Sequence, residues 1–170
     1  MFRIDDYVYY ASGGVCLVSD ICYAPLSGMS PDRQYYVLQS VHGAGGVMYV
    51  PVDSESVFLR RLLTKEEAEA LLKKIPDIEG FDEPSAKALR QRYLEAMRRH
   101  DPEEWVRVIK TAHGRMQKLA ARSNSGRISD TERSYAEDAK RYLYGELSIT
   151  LEVPLEDLRD FLRRQIELSV

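Results

Sequence analysis

The 170-residue sequence has no long apolar run, and it is poor in cysteine, histidine and tryptophan. A helix that spans a membrane requires about 20 consecutive apolar residues, and no stretch of the sequence reaches that length. The first six residues, MFRIDD, lack the apolar stretch of a secretory signal peptide. We therefore expect a cytoplasmic protein that does not insert into a membrane.

The few cysteines and histidines argue against a disulfide, a metal site and a catalytic centre. Cys16 and Cys22 lie an even number of residues apart on a predicted strand, so they face the same side but are too far apart to bond. We expect both to be buried, reduced thiols. His42, His100 and His113 lack metal-ligand spacing, and no serine or cysteine lies in a nucleophile motif. The sequence therefore predicts no metal, no cofactor and no enzymatic activity.

The first third of the sequence is rich in residues that favour strands. Two runs of β-branched and aromatic residues, YYVL at 35–38 and VMYV at 47–50, are separated by glycines, which predicts an antiparallel hairpin. A hairpin alone is marginally stable in water, so the β-rich run 7–22 is needed to cover its apolar face. Residues 1–63 are therefore predicted to form one small β domain.

After this domain the apolar period changes from 2 to 3.6, which indicates helices. Thr64 and Glu67 form a capping box at the start of a first helix. Residues 64–84 are predicted to be this connecting helix followed by a hinge, because prolines and a glycine punctuate 76–84. Residues 85–170 are predicted to be a separate helical domain.

Helix start signals recur through that second part of the sequence. Asp101 and Ser129 are each followed three residues later by glutamate, and Pro154 opens a last helix. The longest apolar stripe is predicted to be core and contains Trp105, Val108, Ile109, Ala112, Met116 and Leu119. The fold class is therefore α+β, with an N-terminal β domain and a C-terminal all-α helical bundle.

Basic residues are concentrated between Lys87 and Arg122, although the whole sequence carries a net charge of −3. One interpretation is a solvated helical face, and the other is a surface that binds a polyanion. This stretch contains four acids and ten bases. The bases are Lys87, Arg90, Arg92, Arg98, Arg99, Arg107, Lys110, Arg115, Lys118 and Arg122.

Several segments, in order along the chain, resemble the CarD/CdnL family of bacterial transcription regulators. The opening FRIDDYVYY at 2–10 is similar to the family's F-x-x-G-D-x-V-V-Y, with Asp5 where the family has glycine. The family shares its N-terminal part with the polymerase-interacting domain of transcription-repair coupling factor. The other segments that carry the resemblance are 14–15, 35–38, 47–52, 101–110, 129–133 and 139–147.

The resemblance implies a Tudor-like small β-barrel that docks on the β subunit of RNA polymerase. The positions that it assigns to this contact are Ala24, Arg33, Val47, Tyr49 and Pro51. It also implies that the helical domain contacts promoter DNA at the upstream edge of the bubble, largely through the backbone, and modulates open-complex stability. The ten bases between Lys87 and Arg122 are the candidates for that contact.

Relatives use a tryptophan near the first helix after the hinge as a wedge at the bubble edge. No tryptophan occurs there in this sequence, and the nearest apolar candidates are Phe81 and Leu89. Trp105 lies in a later helix on the apolar stripe, so we predict it to be core.

Three hypotheses follow from these features. The first is a transcription regulator that binds RNA polymerase and promoter DNA. The second is a protein–protein adaptor that docks through an exposed β edge and does not touch DNA. The third is an RNA-binding module. The sequence does not distinguish an activator from a repressor, name the promoters, or set the domain orientation and oligomeric state.

Overall fold

The computed structural model describes residues 1–23, 26–43, 46–123 and 126–169, and it divides into two compact units, Met1–Leu62 and Leu63–Val170. The first unit contains strands and the second contains helices, so the predicted α+β class is confirmed. The strands are β1 (Tyr7–Tyr10), β2 (Gly14–Tyr23), β3 (Gln34–Ser40), β4 (Val47–Pro51) and β5 (Leu59–Arg61). The helices are α1 (Lys65–Lys74), α2 (Ala86–Arg98), α3 (Pro102–Ser123), α4 (Asp130–Leu151) and α5 (Leu155–Glu167), with a short 3₁₀ helix at Ile75–Asp77.

The strands form one antiparallel sheet in the order β4-β3-β2-β1-β5. Within the described ranges β4 and β5 are the two edges and do not pair with each other, so the sheet is open. The predicted closure into a Tudor-like barrel is therefore not confirmed. Both edge strands are short, with five residues in β4 and three in β5. Pro51 at the end of β4 also lacks the N–H that a further ladder bond requires.

One face of this sheet carries the core of the first unit. A bulge between Val18 and Asp20 shifts the register of β2 against β3, so the core positions of β2 change from even numbers to the odd-numbered Ile21. Phe2 covers part of the core, and its N–H donates to the Tyr36 hydroxyl at 3.0 Å. The buried side chains that alternate onto this face are Val8, Cys16, Val18, Tyr36, Leu38 and Val50.

The turn before β1 contains a left-handed residue, Asp5, with φ of 73°. Its N–H donates to the Val18 carbonyl at 2.9 Å, and the Val18 N–H donates to the Asp6 carbonyl at 2.9 Å. The Asp6 carboxylate accepts a hydrogen bond from the Arg3 N–H at 2.7 Å. These bonds hold an aspartate in a conformation that glycine adopts at lower cost.

The predicted helix starts are confirmed. Capping boxes begin α1 at Thr64 and α4 at Ser129, and in each box the glutamate three residues later bonds back to the cap. At α3 the Asp101 carboxylate accepts hydrogen bonds from the N–H groups of Glu103 at 2.8 Å and Glu104 at 3.2 Å. Each cap satisfies backbone donors that the helix itself leaves unpaired.

The apolar stripe of α3 forms the centre of the second unit. Trp105 is fully buried, as predicted, and its ring lies 5.6 Å from the ring of Tyr142 on α4. The stripe remains buried as far as Ala112. Met116, which was also predicted to be core, is 45% exposed because the last turns of α3 extend beyond the packed part of the helix.

The segment 76–84, predicted to be a hinge, belongs to the second unit and packs on α3. Ile78 is buried, with 3% of its surface exposed. The Thr111 hydroxyl accepts a hydrogen bond from the Phe81 N–H at 2.7 Å. A Cβ added to Gly80 would lie only 2.9 Å from the same hydroxyl oxygen. The helix therefore holds the backbone of this segment, whereas the sequence suggested a linker.

The first residue of the second unit is held by two side chains of α4. Glu146 is fully buried, and its Oε1 accepts a hydrogen bond from the Leu63 N–H at 2.9 Å. The Thr150 hydroxyl donates to the Leu63 carbonyl at 3.3 Å. A buried carboxylate is costly unless it is hydrogen-bonded, so this contact anchors the start of the unit.

Candidate functional site

The strand β4 carries three of the five predicted polymerase-binding residues. Val47, Tyr49 and Pro51 alternate along the strand, so their side chains lie on the face opposite to that of the buried Val50. Val47 is 52% exposed, and the other two are half-buried. The outer face of β4 is therefore an apolar strip that is partly open to solvent.

The backbone of β4 also has an open side. The Val52 N–H donates to the Gln34 carbonyl at 3.0 Å. In an antiparallel ladder, residues that bond to the partner strand alternate with residues whose N–H and C=O point away from it. By this alternation Val47 and Tyr49 direct their backbone groups away from β3. An edge of this kind can pair with a strand from another chain.

Arg33, another predicted docking residue, lies next to the start of β3 and forms an ion pair with Asp53 just beyond β4. The Arg33 Nε lies 2.6 Å from the Asp53 Oδ1. This hydrogen bond is the main reason that the pKa of Asp53 is lowered from its ordinary value. Both side chains remain exposed, at 40% and 68%. The fifth candidate, Ala24, lies outside the described residues.

The family comparison concerns this same unit. Residues 2–63 match the family model of the CarD-like/TRCF RID domain. The N-terminal unit is a CarD-like/TRCF RID domain. RID domains interact with RNA polymerase, so the match supports a transcription-related protein and RNA polymerase as the kind of partner. A comparison of the chain with curated proteins found no significant match.

The helical unit that follows the RID domain is not basic as a whole, since it contains 20 lysines and arginines against 21 acids. Five of its ten predicted DNA-binding residues are engaged in contacts within the unit. Two of these five contact the segment 76–84, which was predicted to be a hinge. Arg107 pairs with Glu103 at 3.2 Å and donates to the Glu79 carbonyl at 3.3 Å. Lys110 is buried, and its Nζ donates to the Pro76 carbonyl at 3.2 Å.

The environment of Lys110 confirms that it faces the interior. Only 3% of its surface is exposed, and burial lowers the pKa of its ammonium group. Asp77 opposes this shift to a smaller extent. The ammonium group therefore bonds within the unit and is not presented to an external phosphate.

Three further arginines form ion pairs with acids of the same unit. The shortest joins Arg115 to Glu132 at 2.6 Å, and this glutamate also takes part in the capping box of α4. The other two pairs are Arg99–Glu104 at 3.3 Å and Arg92–Glu95 at 3.7 Å. These partners reduce the charge that the three arginines present outward.

Three of the remaining candidates lie together on the exposed side of α2. Lys87, Arg90 and Arg98 are exposed, and within the described residues none of them forms an ion pair. At about 100° per residue they fall within an arc of about 80° on the helix surface. The buried residues Leu89 and Tyr93 lie outside this arc. We call these three bases the α2 face.

The two wedge candidates have different environments. Leu89 is 3% exposed and belongs to the core of the helical unit, so it presents no surface to a base pair. Phe81 is half-buried, its ring lies 6.2 Å from the ring of Tyr93, and the Arg92 guanidinium lies 5.1 Å from its centroid. Phe81 is thus the candidate that retains some exposure.

The sequence analysis did not identify the side chains that hold the segment 76–84 and the start of the helical unit in place. Thr111 and Glu146 carry hydrogen bonds to backbone more than 25 residues away along the chain, and no local motif reveals such partners. In the described part of the chain, no helix is both long and apolar enough to cross a membrane. The same residues contain no group of three or more His, Cys, Asp or Glu that could hold a metal ion.

Proposed function

We propose that this chain is a non-enzymatic bacterial transcription regulator. Its RID domain docks on the β subunit of RNA polymerase, and its helical unit contacts the promoter DNA backbone at the upstream edge of the bubble, which changes the stability of the open complex. The match of residues 2–63 to a polymerase-interacting domain carries the proposal. Such a protein acts in the cytoplasm, where the polymerase works.

The open side of β4 supports docking by strand addition. A partner strand can bond to the outward backbone groups of Val47 and Tyr49 while its side chains pack on the apolar strip. Main-chain bonds of this kind depend weakly on side-chain identity. The proposed contact therefore depends little on which side chain is present at position 49.

The α2 face supports the DNA contact. Three bases that have no acidic partner among the described residues can each contact one phosphate. The logarithm of the affinity for B-DNA then falls with the logarithm of the salt concentration, with a slope of about 0.9 per phosphate contact. Such binding is weak and independent of sequence. Docking of the RID domain raises the local concentration of the helical unit at the promoter, so weak binding is sufficient.

The docking mode is tested by two substitutions at one position of the full-length chain. Tyr49→Pro and Tyr49→Ala both remove the phenol ring, but only proline also removes the outward N–H. We expect Tyr49→Pro to bind purified RNA polymerase at least about tenfold more weakly than Tyr49→Ala, with both variants folded. Equal affinities for the two variants would show that the β4 backbone is not the contact.

A second function is favoured by the internal ion pairs. Because half of the predicted DNA-binding residues are engaged within the helical unit, a protein–protein adaptor that docks through β4 without touching DNA is the competing candidate. Binding to a forked promoter duplex, measured over a range of salt concentrations, separates the two. The regulator shows a salt-dependent affinity that decreases when the α2 face is neutralised, and the adaptor shows none.

A further inference from the structure

The last turns of α3 project beyond the packed part of the helical unit. From Trp105 to Ala112 nearly every residue of the helix is buried, on all sides. The segment 116–122 is then exposed except for the half-buried Leu119, and it extends for about 10 Å at 1.5 Å per residue. A projecting helix end of this length offers a surface that the helical unit does not use for its own packing.

This projecting segment is cationic and has no acid of its own. No aspartate or glutamate occurs in 105–129. Lys118 and Arg122 lie four residues apart, so they are neighbours on one side of the helix, and within the described residues neither forms an ion pair. Arg115, one turn earlier, is neutralised by Glu132 at 2.6 Å. The uncompensated charge is therefore confined to the exposed end.

A third base, Arg127, lies beside the same part of α3. Gly126 adopts a φ of 52°, and a Cβ added there would lie 3.3 Å from the Ala120 Cβ and 3.5 Å from the Met116 carbonyl oxygen. Ile128 is buried in a cluster that includes Ala112 of α3 and has Leu119 packed against it. Arg127 lies between these two anchored residues and is exposed. It is therefore held alongside the projecting turns.

The composition of the surface favours a polyanion over an acidic protein. Protein interfaces usually depend on large apolar or aromatic anchors, and Met116 is the one large apolar side chain that is exposed in 116–122. Ala120 and Ala121 give the rest of the surface low relief, which allows a phosphate backbone to approach the helix closely. The helix dipole explains a cation in the last turn, but it does not explain Lys118 one turn earlier or Arg127 beyond the helix.

We propose that Lys118, Arg122 and Arg127 form a second phosphate-binding surface for duplex DNA, separate from the α2 face. We call it the α3 tip. This inference rests on the proposed DNA contact and makes it bivalent, with two groups of bases that engage phosphates at different places along the duplex. Two such contacts fix the orientation of the helical unit on the duplex, which a single patch does not.

The test compares three double variants of the full-length chain, each lacking two positive charges. Lys118→Gln/Arg122→Gln changes the α3 tip, and Lys87→Gln/Arg90→Gln changes the α2 face. The control, Arg141→Gln/Arg163→Gln, removes two arginines that pair with Asp138 at 2.7 Å and Asp160 at 3.4 Å. Fluorescence anisotropy with a forked promoter duplex gives the affinity at each salt concentration, and Trp105 fluorescence verifies folding.

We expect the tip variant to lower the slope of log affinity against log salt by about 1.8, which corresponds to two lost phosphate contacts, and the control to leave it unchanged. An unchanged slope in the tip variant, with a reduced slope in the α2 variant, overturns the second surface and leaves the proposed function intact. An unchanged slope in both variants contradicts both proposals. Binding to poly-glutamate, a probe for acidic proteins, is measured for the same variants. If the tip variant loses binding to poly-glutamate but keeps its binding to DNA, the α3 tip binds an acidic protein and the inference is overturned.

Discussion

The buried Glu146 gives the sharpest test of how the helical unit is held together. Replacing it with leucine keeps the volume but leaves the Leu63 N–H, now 2.9 Å from Oε1, without its acceptor. A hydrogen bond to a charged group contributes about 1.5–3 kcal/mol, and an unsatisfied buried donor costs about 1–3 kcal/mol. Removal of a buried charge offsets part of this loss. We therefore expect Glu146→Leu to lower the free energy of unfolding by about 1–3 kcal/mol.

The assay uses the single tryptophan of the chain. Trp105 is fully buried in the helical unit, so its fluorescence during urea unfolding reports on that unit. Glu146→Gln retains an acceptor oxygen and should be at least about 1 kcal/mol more stable than the leucine variant. Glu137→Gln, which breaks an exposed pair with Lys140 on the same helix, should change stability by less than about 1 kcal/mol. Equal stability of the leucine and glutamine variants would refute the role assigned to this hydrogen bond.

Two further predictions concern the RID domain. Asp5→Gly should raise its unfolding free energy by about 0.5–1 kcal/mol, because glycine adopts the φ of 73° without steric cost, and no change in the urea midpoint would contradict this. Burial raises the pKa of Cys16 from 9.0 to about 11, so the folded thiol stays protonated while the unfolded one ionises, and stability should fall as pH rises from about 9 towards 11. In Cys16→Ala this part of the pH dependence should disappear, and its persistence would assign it to other groups.

Much of the secondary structure could be predicted because its causes are local. The run at 7–10 and the capping residues Thr64, Asp101 and Ser129 act within a few positions of themselves, and each lies where the pattern predicted it. Closure of the sheet depends instead on whether β4 meets β5, which are distant in sequence. Local patterns contain no information on that pairing, so the predicted barrel was not confirmed.

The candidate site was less predictable for the same physical reason. A count of bases identifies charge but not its partners, and Arg115 is neutralised by Glu132, 17 residues further along the chain. Prolines and glycine at 76–84 suggested a hinge, yet the Thr111 hydroxyl binds the backbone of that segment. The exposed face of β4 was easier to predict, because the alternation of Val47 and Tyr49 already places both side chains on one side of the strand.

Hydrogen exchange of the full-length chain with and without RNA polymerase tests the docking proposal most directly. Strand addition at β4 predicts that the outward amides of Val47 and Tyr49 exchange much more slowly in the complex, while promoter DNA alone leaves them unchanged. Saturation with polymerase without any added protection of β4 would contradict the account.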